Sequence, residues 1–199
     1  MNDEGVIKYN CTWIPEAPVS PELIVELNKW RDILFQAGLV GVNKEGIGYG
    51  NISCRYRHNT FIITGSGTGS ISQLEVRHYT RVTAYSFGDN SLTTEGPMRA
   101  SSESLTHAAV YESLPEIGAV FHIHHLALWR HLLGSNLSTS KEAAYGTPAM
   151  AAEIIRLVNE PAVASQRILA MAGHEEGVLC FGINEDEAGT ILMNRLAQL

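Results

Sequence analysis

Val120-Phe121-His122-Ile123-His124 places two imidazoles two residues apart inside a short apolar run. Successive side chains of a strand point to opposite faces, so His122 and His124 share one face while Phe121 and Ile123 fill the other. Two neutral imidazoles on one face can grip a metal ion of the zinc type, but two ligands are too few for a stable site. The chain must then supply another donor. The alternative is a strand with two hydrogen-bonded structural histidines, since histidine is intermediate in burial.

Working outward, Ser101-Ser102-Glu103 opens a helix through Leu105, Ala108, Ala109 and Val110 that has to stop near Pro115. Either serine is a candidate cap, and a glutamate in the first turn complements the helix dipole. Beyond the His-x-His run, a helix over Leu126–Leu133 stops at Gly134, and His125 and His131 read as surface or packing residues. Residues 135–146 form a polar connector. Thr147-Pro148 starts a helix through Ile154, Ile155 and Val158, and Pro161 breaks the pattern. Two short strands, 168–172 and 178–181, flank Gly173-His174-Glu175-Glu176-Gly177. A histidine at such a hairpin tip is exposed by default, yet it can swing into a site at the end of the sheet. Asn184 and Glu187 form a capping box for a last helix that buries Ala188, Ile191, Leu192 and Leu196.

Toward the N-terminus, a helix begins at Ser20-Pro21, carries Leu23, Ile24, Leu27, Trp30 and Leu34 on one stripe and ends at Gly38. Residues 1–19, with Pro15 and Pro18, read as an extended arm. Strands are expected over 51–56 and 61–64, with Arg57-His58-Asn59 as the turn, and over 81–87, closed by a turn at Gly88-Asp89-Asn90. Between them lies Gly65-Ser66-Gly67-Thr68-Gly69-Ser70. Its glycines permit close backbone approach to an anion, although it fits neither the dinucleotide fingerprint nor the P-loop. A plain flexible connector is the competing reading.

A chain of 199 residues with 45% hydrophobic and 18% charged content is expected to form a single domain over 1–199, with 1–19 as its arm. A net charge of -7 with 14 Lys+Arg argues against a nucleic-acid surface. Cys11, Cys54 and Cys180 are odd in number and unpaired in sequence, which suits a reducing compartment. The start Met-Asn-Asp-Glu-Gly lacks the basic and apolar regions of a signal peptide, and no run of about 18 apolar residues occurs. A cytoplasmic protein without membrane contact is expected.

Taken in order, Gly50-Asn51-Ile52-Ser53, the Ser66-Gly67 loop, Ser101-Ser102-Glu103, His122-x-His124 and Gly173-His174 resemble the class II aldolase/adducin family, that of fuculose phosphate aldolase and ribulose phosphate 4-epimerase. The resemblance runs from about residue 21 to the C-terminus. It implies an α/β fold of three α/β/α layers around a mixed, largely antiparallel sheet. It implies further that His122, His124 and His174 ligate a divalent metal, usually zinc, with Mn²⁺, Co²⁺ or Fe²⁺ as alternatives. Glu103 then corresponds to the acidic residue beside the metal. Asn51, Ser66, Gly67, Ser101 and Ser102 correspond to the residues that hold a substrate phosphate, with Ser66 in place of the more usual threonine. Backbone amides near Ser66 and the start of the helix at Ser101-Ser102 would surround that anion, and no lysine or arginine stands in these motifs.

The chemistry so implied is a metal-dependent carbon–carbon lyase acting on a small sugar phosphate or related hydroxy-carbonyl compound through an enediolate, with Glu103 as proton shuttle. Decarboxylase, epimerase and dehydratase reactions use the same stabilisation. Family members also form homotetramers, and the adducin head represents a non-catalytic interaction protein. A metallohydrolase is a third reading, but no Asp follows in the His-x-His-x-Asp-His spacing. Two features depart from the family pattern: Glu175-Glu176 separates His174 from Gly177, and the connector between His124 and Gly146 is short.

Overall fold

The structure is a computed structural model that describes residues 6–199. In chain order, strand β1 (Asn10–Pro15) leads through a 3-10 turn at Pro21–Ile24 into helix α1 (Val25–Gln36). A two-residue pair, β2 (Gly41–Val42) and β3 (Gly48–Tyr49), precedes β4 (Asn51–Arg57), β5 (Thr60–Thr64), β6 (Tyr79–Ser86) and β7 (Ser91–Gly96). Then come α2 (Ser104–Ser113), β8 (Ala119–His124), α3 (Leu126–Leu133), α4 (Pro148–Val158) and α5 (Pro161–Gln166). The chain closes with β9 (Ile168–Ala170), β10 (Gly177–Gly182) and α6 (Glu185–Leu196).

Eight strands form one sheet in the order β1-β7-β6-β5-β4-β8-β10-β9. Among the strand pairs of the described residues, β1–β7 is parallel and the others are antiparallel, so the sheet is mixed and largely antiparallel. The side-chain alternation of the strands then assigns the layers. Phe121 meets Trp30 of α1 at 6.2 Å between ring centroids, and Cys180 Sγ donates to the Ala188 carbonyl of α6 at 3.2 Å. From the other face, Ser53 Oγ lies 2.7 Å from His107 Nδ1 of α2, and Arg55 donates to the carbonyls of Tyr111 and Leu114. Helices α1 and α6 therefore cover one face and α2 the other. Phe61, Phe121, Phe181, Leu27 and Leu34 are fully buried between them.

Several elements differ from the sequence reading. The described part of the arm is an edge strand, β1, paired over its whole length from Asn10 opposite Ser91 to Pro15 opposite Gly96. Strand β7 and helix α5 were not expected. Helix α4 ends at Val158, before Pro161 as expected, and Pro161 then starts a further helix, because its missing N–H falls among the donors that a first helical turn leaves unused. His125 is neither a plain surface nor a packing residue: its Nδ1 accepts from Leu128 N at 3.1 Å and caps α3.

Candidate metal centre

Strand β8 lies between β4 and β10, with Asn51 opposite His122 and Gly177 opposite His124. The His122 ring is fully buried, and its Nδ1 lies 3.3 Å from the Val178 carbonyl. A carbonyl only accepts, so this contact puts the proton on Nδ1 and leaves a lone pair on Nε2. That Nε2 is buried without a hydrogen-bond partner among the described residues. Burial, followed by the neighbouring His174, His124 and His107, holds His122 well below the ordinary histidine range. The ring is accordingly a neutral donor, the form that a metal requires.

His174 reaches the same place from the β9–β10 hairpin. Its amide donates to Met171 O and its carbonyl accepts from Gly177 N, both at 3.0 Å, which closes the turn. Glu176 takes a positive φ of 65° and its carbonyl accepts from His125 N at 3.0 Å. Glu175-Glu176 thus form the returning limb of the turn, and His174 remains only 4% exposed. Its ring centroid is 5.1 Å from that of His122 and 4.8 Å from that of His124. One ligand atom from each of the three imidazoles lies within 4.8 Å of the other two. Tyr145 stacks on His174 at 4.6 Å and 27°, and the Lys8 ammonium sits 3.7 Å from the centre of the Tyr145 ring. Tyr49 packs against His124 at 5.2 Å.

Glu103 occupies the N-cap position of α2, and its side chain makes no capping bond. Neither Ser101 nor Ser102 caps the helix as expected. The Ser101 carbonyl accepts from both the amide and the hydroxyl of Ser104, and also from the Tyr9 hydroxyl at 3.0 Å. Glu103 Oε2 accepts from the Thr106 hydroxyl at 2.8 Å, and Oε1 lies 3.6 Å from His174 Nδ1. One turn further on, desolvation pushes His107 down to about 3, so this ring is neutral as well.

Asn51, Ser66, Gly67, Ser101 and Ser102 converge with Gly50, Thr68 and Gly69 on one small cavity of about 40 Å³. The Ser66 amide is not among its donors, because it pairs with the Arg99 carbonyl at 2.9 Å, beside an isolated antiparallel bridge between Gly65 and Ala100. The amides of Gly67, Thr68 and Ser102 have no acceptor among the described residues. Asn51 ties this cavity to His122 through the sheet, and Ser101-Ser102 tie it to Glu103 through the chain. A cleft of about 590 Å³ opens against His124 and His174, lined also by Asn43, Tyr49, Tyr145, Glu175 and Glu176. Its size falls within the range of small-molecule sites.

Thr106, Val178, Tyr49 and Tyr145 carry no sequence signal for this site. Their parts depend on which segments the sheet brings together, and no local spacing encodes that.

A model of the Class II Aldolase and Adducin N-terminal domain matches residues 44–194. Among solved structures, an L-fuculose 1-phosphate aldolase superposes with a TM-score of 0.67 at 20% identity, over 91% of this chain and 84% of its own. YgbL from Escherichia coli gives 0.63 at 18% identity, over 87% and 84%. The L-fuculose-1-phosphate aldolase from Thermus thermophilus gives 0.61 at 21% identity, over 87% and 90%. These likenesses show the fold. No curated protein matches the sequence.

Proposed function

The chain belongs to the class II aldolase and adducin family, and from that premise we propose that it is a metal-dependent carbon–carbon lyase acting on a small phosphorylated hydroxy-carbonyl compound through an enediolate. One observation carries this reading. Three converging imidazoles stand beside a carboxylate whose chain neighbours, Ser101 and Ser102, line a cavity rich in hydroxyls and amides.

His122, His124 and His174 would hold the divalent ion, and an all-imidazole set suits zinc, with Mn²⁺, Co²⁺ and Fe²⁺ as competitors. When bound, the ion supplies Lewis acidity that polarises a substrate carbonyl and stabilises the enediolate charge. Glu103 moves the proton. Its Oε2 is fixed by the Thr106 hydroxyl, which leaves Oε1 on the His174 side to take a substrate hydroxyl proton and return it to the carbon left by cleavage. The hydroxyls of Ser66, Ser101 and Ser102, the Asn51 amide and the amides of Gly67 and Thr68 hold the phosphate and fix the substrate's register. Tyr49 and Tyr145 wall the large cleft and exclude water from the reacting end.

Decarboxylation, epimerisation and dehydration draw on the same groups. Purified, metal-loaded protein screened against sugar phosphates, 3-keto acid phosphates and their unphosphorylated counterparts separates the reactions. Cleavage of a phosphorylated substrate, lost on chelation, is expected. Turnover of unphosphorylated compounds only would overturn the phosphate assignment. A homotetramer is the proposed assembly, and light scattering tests it.

A further inference from the structure

Arg31 of α1 is only 3% exposed, and no carboxylate lies within ion-pair distance of it among the described residues. A buried guanidinium without a paired anion is costly, because neutral hydrogen-bond acceptors replace only part of the hydration that burial removes. Its hydrogen bonds go to two carbonyls of the glycine loop: Nη2 to Thr68 at 3.2 Å and Nη1 to Ser72 at 3.1 Å. The guanidinium also lies 4.4 Å from the centre of the Phe35 ring. Gly50, Asn51, Thr68 and Gly69 line both the phosphate-type cavity and a smaller cavity against Arg31. The loop backbone therefore has the cavity on one side and the cation on the other. No lysine or arginine lines the cavity itself.

We propose that Arg31 is the positioning residue and the counter-charge of this pocket: it holds the Thr68–Ser72 loop open through two carbonyls and favours an anion across the loop. The anion in turn adds to the electrostatics of a buried cation that makes no ion pair among the described residues and feels the acid of its chain neighbour Asp32 only at longer range. The inference rests on the reading of the cavity as an anion site, and it adds that the site's charge comes from behind the loop. Arg99, whose side chain is exposed and whose carbonyl accepts from Ser66, is the competing source of charge.

Inorganic phosphate binding to the metal-loaded protein, followed by titration calorimetry, separates these possibilities. Arg31→Gln should weaken phosphate binding about tenfold or more, since at an effective dielectric constant of about 20 a unit charge is worth that much even at roughly 10 Å. Arg31→Lys should stay within about threefold of wild type, and Arg99→Gln should change little. Wild-type affinity in folded Arg31→Gln overturns the counter-charge role and leaves the anion site standing. Should that variant not fold, Arg31→Lys decides: retained binding supports the counter-charge, and loss of binding in a folded Lys variant overturns it. If wild-type protein binds no phosphate, both the anion-site reading and this inference are wrong.

Discussion

Glu103 sits at a helix N-cap, where a side chain ordinarily turns back onto its own backbone amides, yet its oxygens go to Thr106 and toward His174. A carboxylate kept 2% exposed in that posture suits the proton transfer proposed for it. Glu103→Gln should keep fold and metal content and lose about 10²-fold or more in kcat, because the amide has nearly the same shape but cannot exchange the proton. Near-normal turnover would return Glu103 to a role in the helix start. Thr106→Val removes the hydroxyl that fixes Oε2, and kcat should fall about tenfold with KM little changed, as expected when an aligned group is loosened. An equal fall in Thr106→Ser, which keeps the hydroxyl, would contradict that role. The His-x-His pair was legible because a period of two puts both rings on one face whatever surrounds them. Tyr145, Thr106 and Arg31 were not, since each acts on the site from another element.

The β9–β10 hairpin carries the third imidazole, and its entry depends on Gly173. A Cβ there would collide with the Ala143 carbonyl of the connector. Gly173→Ala should displace the turn, lowering stability by about 1–3 kcal/mol and releasing metal, which denaturation and metal analysis together would detect. Unchanged metal content would mean that the hairpin is not what positions His174. The same hairpin was readable in sequence from its flanking apolar runs and its glycines. Strand β7 was not, for a physical reason: its buried positions are Leu92, Thr94 and Gly96, so its burial alternates while its polarity does not. Strand β1 lies on the sheet edge with mostly exposed residues, and an edge strand held by backbone pairing carries no hydrophobic pattern.

For the molecule as a whole, buried neutral histidines make stability depend on pH. His107 is held down to about 3 from an ordinary value of 6.5, and His122 is lowered too, both chiefly by burial. Between these values the unfolded chain binds protons that the folded chain refuses. Stability is therefore fully present above 6.5 and is lost as the pH falls below it, by up to about 1.4 kcal/mol per pH unit for each such ring. Urea midpoints of chelator-treated protein at pH 7, 6 and 5 should fall in that order, and more shallowly in His107→Gln. A flat profile in the wild type would contradict the burial of these rings as neutral groups. No helix among the described residues is long and apolar enough to cross a membrane. The order of motifs along the chain was enough to indicate the layered fold and the convergence of Asn51, Ser66, Gly67, Ser101 and Ser102 on one cavity. The buried cation behind that pocket came only from the packing of α1 beneath the loop.

The central claim is that His122, His124 and His174 form one metal site, and elemental analysis of the purified protein tests it most directly. One divalent ion per chain is expected in the wild type, and His122→Ala, His124→Ala and His174→Ala should each lose most of it while staying folded by circular dichroism. A folded wild type that takes up no divalent ion when supplied with zinc, or single variants that retain full metal content, would contradict the claim.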